Sequence, residues 1–162
     1  MNYWKLLVIV FFFFLINNPT LEAQGLDRTN LYKALETGQS EAIDHQLSVL
    51  KDIKGNDKTA FEGALLMRKS ALLKVPAQKL NTFKQGHRQL ELAIRAEPKN
   101  VEYRFLRLMI QEHAPKMLHY KGNLLEDSQL IAKGFKSLQP TLKAIVLNYS
   151  KTSKALPESS LK

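Results

Sequence analysis

Apolar residues recur along the chain at the helical interval rather than at the alternating interval of a strand. Over residues 78–97, for example, Leu80, Phe83, Leu90 and Ile94 fall on one face of a helix. Stretches in which apolar and polar residues alternate are short, and valine, which favours strands, is rare. This pattern predicts an all-α protein.

Glycines, prolines and capping Asn or Ser residues divide the chain into seven helical segments. Ser40, Asn100 and Asn123 are predicted to cap the helices that follow them. The predicted helices cover residues 27–37, 41–53, 58–73, 78–97, 101–113, 124–138 and 141–149. We expect them to stack as antiparallel hairpins, an array of about six to seven helices in one domain over residues 24–150. The polar residues 151–162 are expected to form a flexible basic tail.

The fifth predicted helix is apolar around more than half of its circumference. A helix with so many apolar sides packs against several neighbours, so we expect it to lie in the middle of the array with Phe105 and Leu108 buried. The remaining wedge carries Arg104, Arg107 and Gln111. We expect this basic strip to face solvent or a groove, where an arginine can bind a carboxylate through two hydrogen bonds.

The spacing of small, apolar and proline residues over residues 86–98 resembles the second helix of a tetratricopeptide repeat. Gly86, Leu90, Ala93 and Pro98 stand where that family has a small residue, a larger apolar residue, a second small residue and a closing proline. In the family's hairpin the small residues let the paired helix approach closely, and the proline ends the helix. The resemblance implies tetratricopeptide-like packing, although the Trp/Leu/Gly/Tyr spacing of a first helix is missing from this sequence.

The first residues of the chain have the features of an export signal. Lys5 supplies a positive charge, and Leu6–Ile16 is an unbroken apolar run that is shorter than the roughly 20 residues a membrane-spanning helix needs. Asn and Pro residues then break the helix, and the small residue Ala23 precedes an expected cleavage site. We therefore expect residues 1–23 to be a signal peptide and the mature protein, beginning at Gln24, to be periplasmic or secreted. An uncleaved N-terminal anchor is the alternative.

The chain as a whole also resembles small exported proteins of Bacteroidota bacteria. The Phe-rich leader followed by Gln24 carries this resemblance, together with the run Tyr103–Leu108 that leads into Ala114-Pro115-Lys116. The resemblance implies export and no known activity.

The composition narrows the possible chemistry. The chain has 162 residues, with 24 Lys and Arg against 15 Asp and Glu, a net charge of +9 and no cysteine. Without cysteine there is no disulfide framework, thiolate metal site or cysteine nucleophile. The sequence also lacks the motifs of serine hydrolases, zinc proteases, phosphate-binding loops and dinucleotide-binding folds. We expect a non-enzymatic protein that needs no cofactor or metal.

Positive charge is concentrated near the C-terminus. Residues 133–162 contain six lysines and one glutamate, which is more than half of the net charge. A solvated, solubilising surface is the simplest interpretation of this stretch. Among partners that such charge attracts, an acidic protein or peptide ranks first, an anionic envelope lipid second and nucleic acid last, because few aromatic residues are interleaved with the lysines.

A few other side chains have the types that carry chemistry. His113 and His119 flank a proline, and Tyr120 follows directly. Two imidazoles can bind a metal or move a proton, but zinc needs three or four ligands, so polar residues at a corner between two helices are the simpler interpretation. Glu126 and Asp127 are adjacent carboxylates in the first turn of a predicted helix, where negative charge suits the helix dipole.

Our leading functional hypothesis is a non-enzymatic, exported helical module that binds or scaffolds a protein or peptide partner. A concave face of stacked hairpins would receive that partner. The alternative is a small metal-binding protein or enzyme that uses His113, His119 and Tyr120. The predicted partner-binding residues are Arg104, Arg107, Gln111, Lys116, Tyr120 and Lys121.

Overall fold

The computed structural model describes residues 26–115 and 118–161. Regular secondary structure in this part of the chain is all helical, with seven α-helices and no strand, which confirms the predicted all-α class. The helices are α1 Arg28–Thr37, α2 Ser40–Val49, α3 Asn56–Ser70, α4 Pro76–Ala96, α5 Val101–His113, α6 Leu124–Gly134 and α7 Pro140–Ser150. Short 3-10 helices cover Leu50–Asp52, Phe135–Ser137 and Glu158–Leu161.

Local capping explains where two of the helices start and end. The Asn100 side chain accepts hydrogen bonds from the backbone N–H groups of Glu102 and Tyr103, so α5 begins at the predicted residue. Gly38 has a φ of 63° and ends α1 in the left-handed conformation that glycine adopts without strain. Both boundaries follow from side-chain chemistry within a few residues of the helix end.

Other boundaries differ from the prediction. Ser40 is the first residue of α2 rather than its cap, and the Asn123 side chain makes no capping hydrogen bond to α6. The α2 and α6 helices end earlier than predicted because the chain tightens into 3-10 turns that bury Leu50 and Phe135. The α3 and α4 helices each begin two residues before their predicted starts.

The fifth helix lies at the centre of the core, as predicted. Phe105 and Leu108 have no exposed surface. The Phe105 ring lies 5.5 Å from the ring of Tyr32 on α1 and 5.4 Å from the ring of Tyr149 on α7, measured between centroids. One apolar side chain of α5 therefore joins helices from both ends of the described chain.

The most extensive helix–helix contact joins α3 to α4, and two glycines lie at its closest point. A Cβ atom added at Gly63 would lie 2.7 Å from the Gly86 carbonyl oxygen, and one added at Gly86 would lie 2.5 Å from the Gly63 carbonyl oxygen. Leu90, one turn further along α4, has no exposed surface. The absence of side chains at both positions therefore sets how closely these two helices pack.

The C-terminal segment packs against the helices, which differs from the flexible tail expected for residues 151–162. Leu156 is fully buried and Leu161 is 6% exposed. The backbone N–H groups of Lys154 and Ala155 donate to the Glu112 carboxylate on α5. These contacts hold residues 151–161 in place, because two leucines enter the core and the Glu112 carboxylate binds the backbone just before the first of them.

None of the helices in residues 26–115 and 118–161 is long and apolar enough to cross a membrane. The signal peptide predicted over residues 1–23 and its cleavage site lie outside the described residues. Export and cleavage therefore stay predictions.

Candidate functional site

The basic strip predicted on α5 is not a solvent-facing surface. Arg104 is 8% exposed and Arg107 is 4% exposed, because α6 packs over them. The Arg107 guanidinium donates through Nε and Nη2 to the two oxygens of Asp127, both at 2.7 Å. Asp127 has no exposed surface. This forked pair neutralises both charges inside the protein.

Arg104 joins the same network. Its Nη1 donates to Asp127 and to Glu126, both at 3.0 Å, while its Nε and Nη2 donate to the Pro98 carbonyl. The adjacent carboxylates that the sequence places in the first turn of α6 thus hold an arginine of α5. The groove expected along this strip is therefore absent at this position, and the two arginines serve to dock α6 onto α5.

The charge state of Arg107 follows from these contacts. Burial by itself would lower the pKa of Arg107, but the hydrogen bond and charge of Asp127 and the charge of Glu91 raise the pKa above its ordinary value. The guanidinium therefore stays protonated throughout the physiological pH range. It donates hydrogen bonds there but cannot transfer its proton as a general acid.

Tyr120 belongs to the interior edge of this network rather than to a partner surface. Its side chain is buried, and its hydroxyl donates to the Glu91 carboxylate at 3.0 Å. Its ring meets the His87 imidazole edge to face at 4.6 Å between centroids. Burial and the nearby Glu91 charge raise the pKa of Tyr120 well above its ordinary value, so the phenol stays neutral.

The remaining residues of the predicted partner site are dispersed. Gln111 has no exposed surface, and its amide donates to Asn123 at 3.4 Å. Lys121 is exposed, and its ammonium group donates to the Glu112 backbone carbonyl. Lys116 lies outside the described residues. The structure therefore does not bring the five predicted residues that it describes together on one accessible face.

The histidines that suggested a metal or proton-transfer site do not converge either. The His113 Nδ1 atom lies 3.0 Å from the Met109 carbonyl oxygen of the same helix. His119 is exposed, with a φ of 47°. Within the described part of the chain, no group of three or more His, Cys, Asp or Glu side chains has a geometry that could hold a metal ion.

A large cleft lies where the ends of several helices meet. It has a volume of about 830 Å³ and is open to solvent. The C-terminal ends of α1, α3, α5 and α7 and the first turns of α4 form its walls. The lining is mainly apolar, and typical contributors are Leu35, Met67, Phe83, Ile110, Leu118 and Tyr149. Volume and lining match those of ligand-binding sites in proteins.

The apolar surface of the cleft continues onto the loop between α3 and α4. Leu72, Val75 and Leu80 are between 41% and 49% exposed. Leu80 lines the cleft itself, and the other two flank the lining residues Ala71 and Pro76. Together with the apolar lining of the cleft, these side chains form a continuous apolar surface that is accessible to solvent.

Charged side chains at the mouth of the cleft are mostly basic. Lys79 and Lys151 line the mouth, are exposed, and take part in none of the ion pairs found among the described residues. Arg68 also contributes, but its Nε donates to the Leu35 carbonyl at 2.8 Å and so satisfies the end of α1. Glu36 is the exposed acidic residue in this lining.

The other carboxylate of the cleft, Glu112, is fully engaged within the protein. It accepts hydrogen bonds from the Tyr149 hydroxyl and the Ser153 hydroxyl, both at 2.7 Å, and from the backbone N–H groups of Lys154 and Ala155. Burial alone would raise the pKa of Glu112, but these four hydrogen bonds outweigh it and lower the pKa below its ordinary value. Glu112 is therefore ionised at neutral pH and holds one wall of the cleft together.

Comparisons with protein families, curated proteins and solved structures show no match to this chain. The cleft and the charges around it are therefore the features that bear on function.

Proposed function

We propose that this protein is a non-enzymatic, exported helical module that binds a partner protein or peptide. The partner inserts an apolar segment, flanked by acidic residues, into the cleft. The single observation that carries the proposal is the open apolar cleft of about 830 Å³. Ser153, His113 and Glu112 all line the cleft, but they are not arranged as a catalytic triad. The Ser153 hydroxyl donates to Glu112, and the His113 Nδ1 atom lies against the Met109 carbonyl oxygen instead of either residue, which favours binding over catalysis.

The shape of the apolar surface favours a protein segment over an enclosed small molecule. Small ligands are usually buried over most of their own surface, whereas this cleft is open and its apolar surface extends onto Leu72, Val75 and Leu80. An amphipathic helix laid into such a groove presents apolar residues at positions i, i+3, i+4 and i+7. That arrangement covers both the cleft and the exposed side chains beside it.

The charge around the cleft favours an acidic flank on the partner. Lys79 and Lys151 stand at the mouth, and the whole chain carries a net charge of +9. Opposite charges steer association and disfavour basic partners. An acidic protein or peptide therefore stays the first candidate, as the sequence suggested, but its binding site moves from the α5 strip to the cleft.

The proposal includes a tetratricopeptide-like pairing of helices. The close approach of Gly63 and Gly86, the burial of Leu90 and the end of α4 just before Pro98 support that arrangement. In such stacks, the ends and concave faces of paired helices form the binding surface.

Binding to the cleft can be tested with a synthetic amphipathic peptide. The probe is a fluorescently labelled helix with leucines at i, i+3, i+4 and i+7 and glutamates on the flanks, and fluorescence anisotropy measures its affinity. We expect the peptide to bind, and Leu80→Gln combined with Lys79→Gln to weaken binding about tenfold, since one exposed apolar contact and one charge pair are lost.

The matched control is Leu92→Gln combined with Lys84→Gln, which changes the same residue types on the same helix away from the cleft. This control is expected to bind the peptide as the unmodified protein does. Equal weakening by both double variants, or equal binding of a scrambled peptide of the same composition, would overturn the proposal.

A further inference from the structure

The α4 helix carries a second exposed surface, separate from the cleft. Lys84, Arg88, Leu92 and Arg95 are all exposed and recur at intervals of four, four and three residues. At about 100° per residue, they fall within an arc of about 80° and extend roughly 16 Å along the helix. Their centre lies about 130° around the helix from the α4 residues that line the cleft. We call these four residues the α4 stripe.

The three cations of the α4 stripe form no ion pair with a described residue, although Glu91 lies about one helical turn from Arg88 and from Arg95. Lys84, Arg88 and Arg95 take part in none of the ion pairs found there. The two carboxylates in residues 76–97 accept hydrogen bonds from residues outside the stripe. Glu91 accepts from the Arg107 guanidinium and the Tyr120 hydroxyl, and Glu97 accepts from Asn56 and Asn100.

A large apolar side chain, Leu92, lies between Arg88 and Arg95 along the helix axis, at one edge of the arc. Leu92 is 55% exposed, which is more than the exposed leucines beside the cleft. A row of cations with an apolar side chain among them is the arrangement by which helices lie on anionic membranes. The cations contact lipid phosphates, and the apolar side chain enters the boundary between headgroups and acyl chains.

We propose that the α4 stripe docks this protein onto an anionic lipid surface. The inference does not depend on what binds in the cleft. A bilayer fits the stripe because the stripe is linear and faces outward, so it needs no groove. Nucleic acid fits less well because the stripe has no aromatic side chain on which a base could stack, and Phe83 of the same helix packs edge to face against Tyr120 instead.

The test is co-sedimentation with lipid vesicles. The protein is purified in the form in which cells accumulate it. Its intact mass is measured to confirm that all variants begin at the same residue. Binding is measured to vesicles of phosphatidylglycerol mixed with phosphatidylcholine and to vesicles of phosphatidylcholine alone. We expect binding to the anionic vesicles that weakens as salt is raised, because salt screens exposed charges.

The decisive variant replaces the three cations of the stripe, Lys84→Gln, Arg88→Gln and Arg95→Gln. Each cation near an anionic surface contributes about fivefold in binding, so the triple variant is expected to bind on the order of a hundredfold more weakly. Arg88→Lys with Arg95→Lys keeps the charge and is expected to bind normally. Leu92→Glu, a single change at an exposed position, is expected to weaken binding as well.

The matched control removes the same charge elsewhere, with Lys33→Gln, Lys51→Gln and Lys54→Gln at exposed positions outside α4. It is expected to bind anionic vesicles within a few-fold of the unmodified protein. The proposal is overturned if this control loses as much binding as the stripe variant, since net charge alone would then explain the result. It is also overturned if the protein does not bind anionic vesicles. The same holds if a single-stranded oligonucleotide, added at the same total negative charge as the vesicles, displaces the protein from them.

Discussion

Arg107 shows how a charged side chain can lie inside this helical protein. Its forked guanidinium meets both oxygens of Asp127, and Glu91 accepts a further hydrogen bond at 3.0 Å. A buried charge is costly when it is alone and tolerable when its hydrogen bonds are satisfied. The sequence shows the arginines and the carboxylates but not that they face one another, since they lie 20 residues apart.

Removal of one partner of this pair is expected to destabilise the fold. Arg107→Ala removes the forked partner of the buried Asp127 carboxylate and leaves the Arg104 Nη1 hydrogen bond as its remaining contact with a cation. Loss of one partner of a buried pair typically costs about 3–5 kcal/mol in the free energy of unfolding, and the remaining Arg104 contact places the expected loss at the lower end of that range. Urea denaturation followed by circular dichroism measures the loss. Arg95→Ala, at an exposed position of α4, is the control and is expected to change stability by less than about 0.5 kcal/mol. A similar small change for both variants would show that the buried pair is not stabilising.

Glu112 is expected to make stability depend on pH. Because its pKa is lowered in the folded protein, its contribution is fully present above the ordinary glutamate pKa and is lost as the pH falls through the lower folded value. Glu112→Gln is expected to lose about 1–3 kcal/mol at neutral pH. Below the ordinary glutamate pKa, its free energy of unfolding is expected to fall less steeply than that of the unmodified protein.

Denaturation midpoints measured from neutral to acidic pH provide the comparison. The control is Glu36→Gln, because Glu36 is exposed and its carboxylate makes no hydrogen bond among the described residues. This control is expected to follow the pH profile of the unmodified protein. Parallel profiles for Glu112→Gln and the unmodified protein would contradict the assignment.

Helices as elements are well predicted from local pattern, and their packing depends on a few small residues. The α5 helix begins and ends where the sequence predicts because Asn100 caps it and Pro115 follows it. By contrast, the predicted ends of α2 and α6 are wrong by several residues. Burial of Leu50 and Phe135 tightens the last turn of each, and that burial depends on distant neighbours.

The α3–α4 crossing is expected to be sensitive to any added side-chain atom. Gly63→Ala places a methyl group 2.6 Å from the Leu90 backbone nitrogen, so the helices must separate. Overpacking of this kind costs about 1–3 kcal/mol, against which alanine recovers up to about 1 kcal/mol of helix propensity. We expect net destabilisation in thermal unfolding. Gly122→Ala meets nothing within 4 Å and is the control; an equal response from both would refute the close crossing.

The C-terminal segment is expected to behave as part of the core. Leu156→Ala removes a fully buried side chain and is expected to cost about 2–5 kcal/mol in the free energy of unfolding. Leu125→Ala makes the same substitution at a side chain that is 72% exposed and is expected to cost less than about 0.5 kcal/mol. Urea denaturation of the two variants discriminates a packed segment from a loose tail, for which both changes would be small.

Over the whole molecule, the cleft results from how the helices are arranged rather than from any one of them. Five helices contribute to its walls, and each contributes residues near one of its ends. The net charge of +9 is also a property of the whole chain, and the mouth of the cleft and the α4 stripe are two of the faces on which cations are exposed to solvent. These two faces define the proposed interactions of the protein.

Export is the prediction that concerns the entire chain. Expression in a host with an export pathway is expected to yield a protein whose N-terminus is Gln24, as determined by N-terminal sequencing and intact mass. A short apolar run that follows a positive charge and precedes a small residue is the basis of this expectation. A full-length product retained in the membrane would contradict cleavage and support the anchor alternative.

Local sequence determines the helical class, most helix positions and the central place of α5. Hydrophobic periodicity, capping side chains and prolines act within a few residues, so they can be read along the chain. The exposure of polar side chains depends instead on contacts between distant segments. Arg104 and Arg107 are the clearest case. A helical wheel places them on the polar side of α5, which predicts exposure to solvent, but in the folded protein α6 covers them.

The cleft and the packed C-terminal segment likewise depend on the folded molecule. Leu35 and Tyr149 line the same cleft although they lie far apart in the sequence, and Glu112 binds backbone groups some 40 residues later. No periodicity encodes such encounters, because they require the closure of long loops and the burial of several helices together. The chain thus specifies its helices locally, while their mutual packing creates the surfaces on which a partner or a membrane is proposed to act.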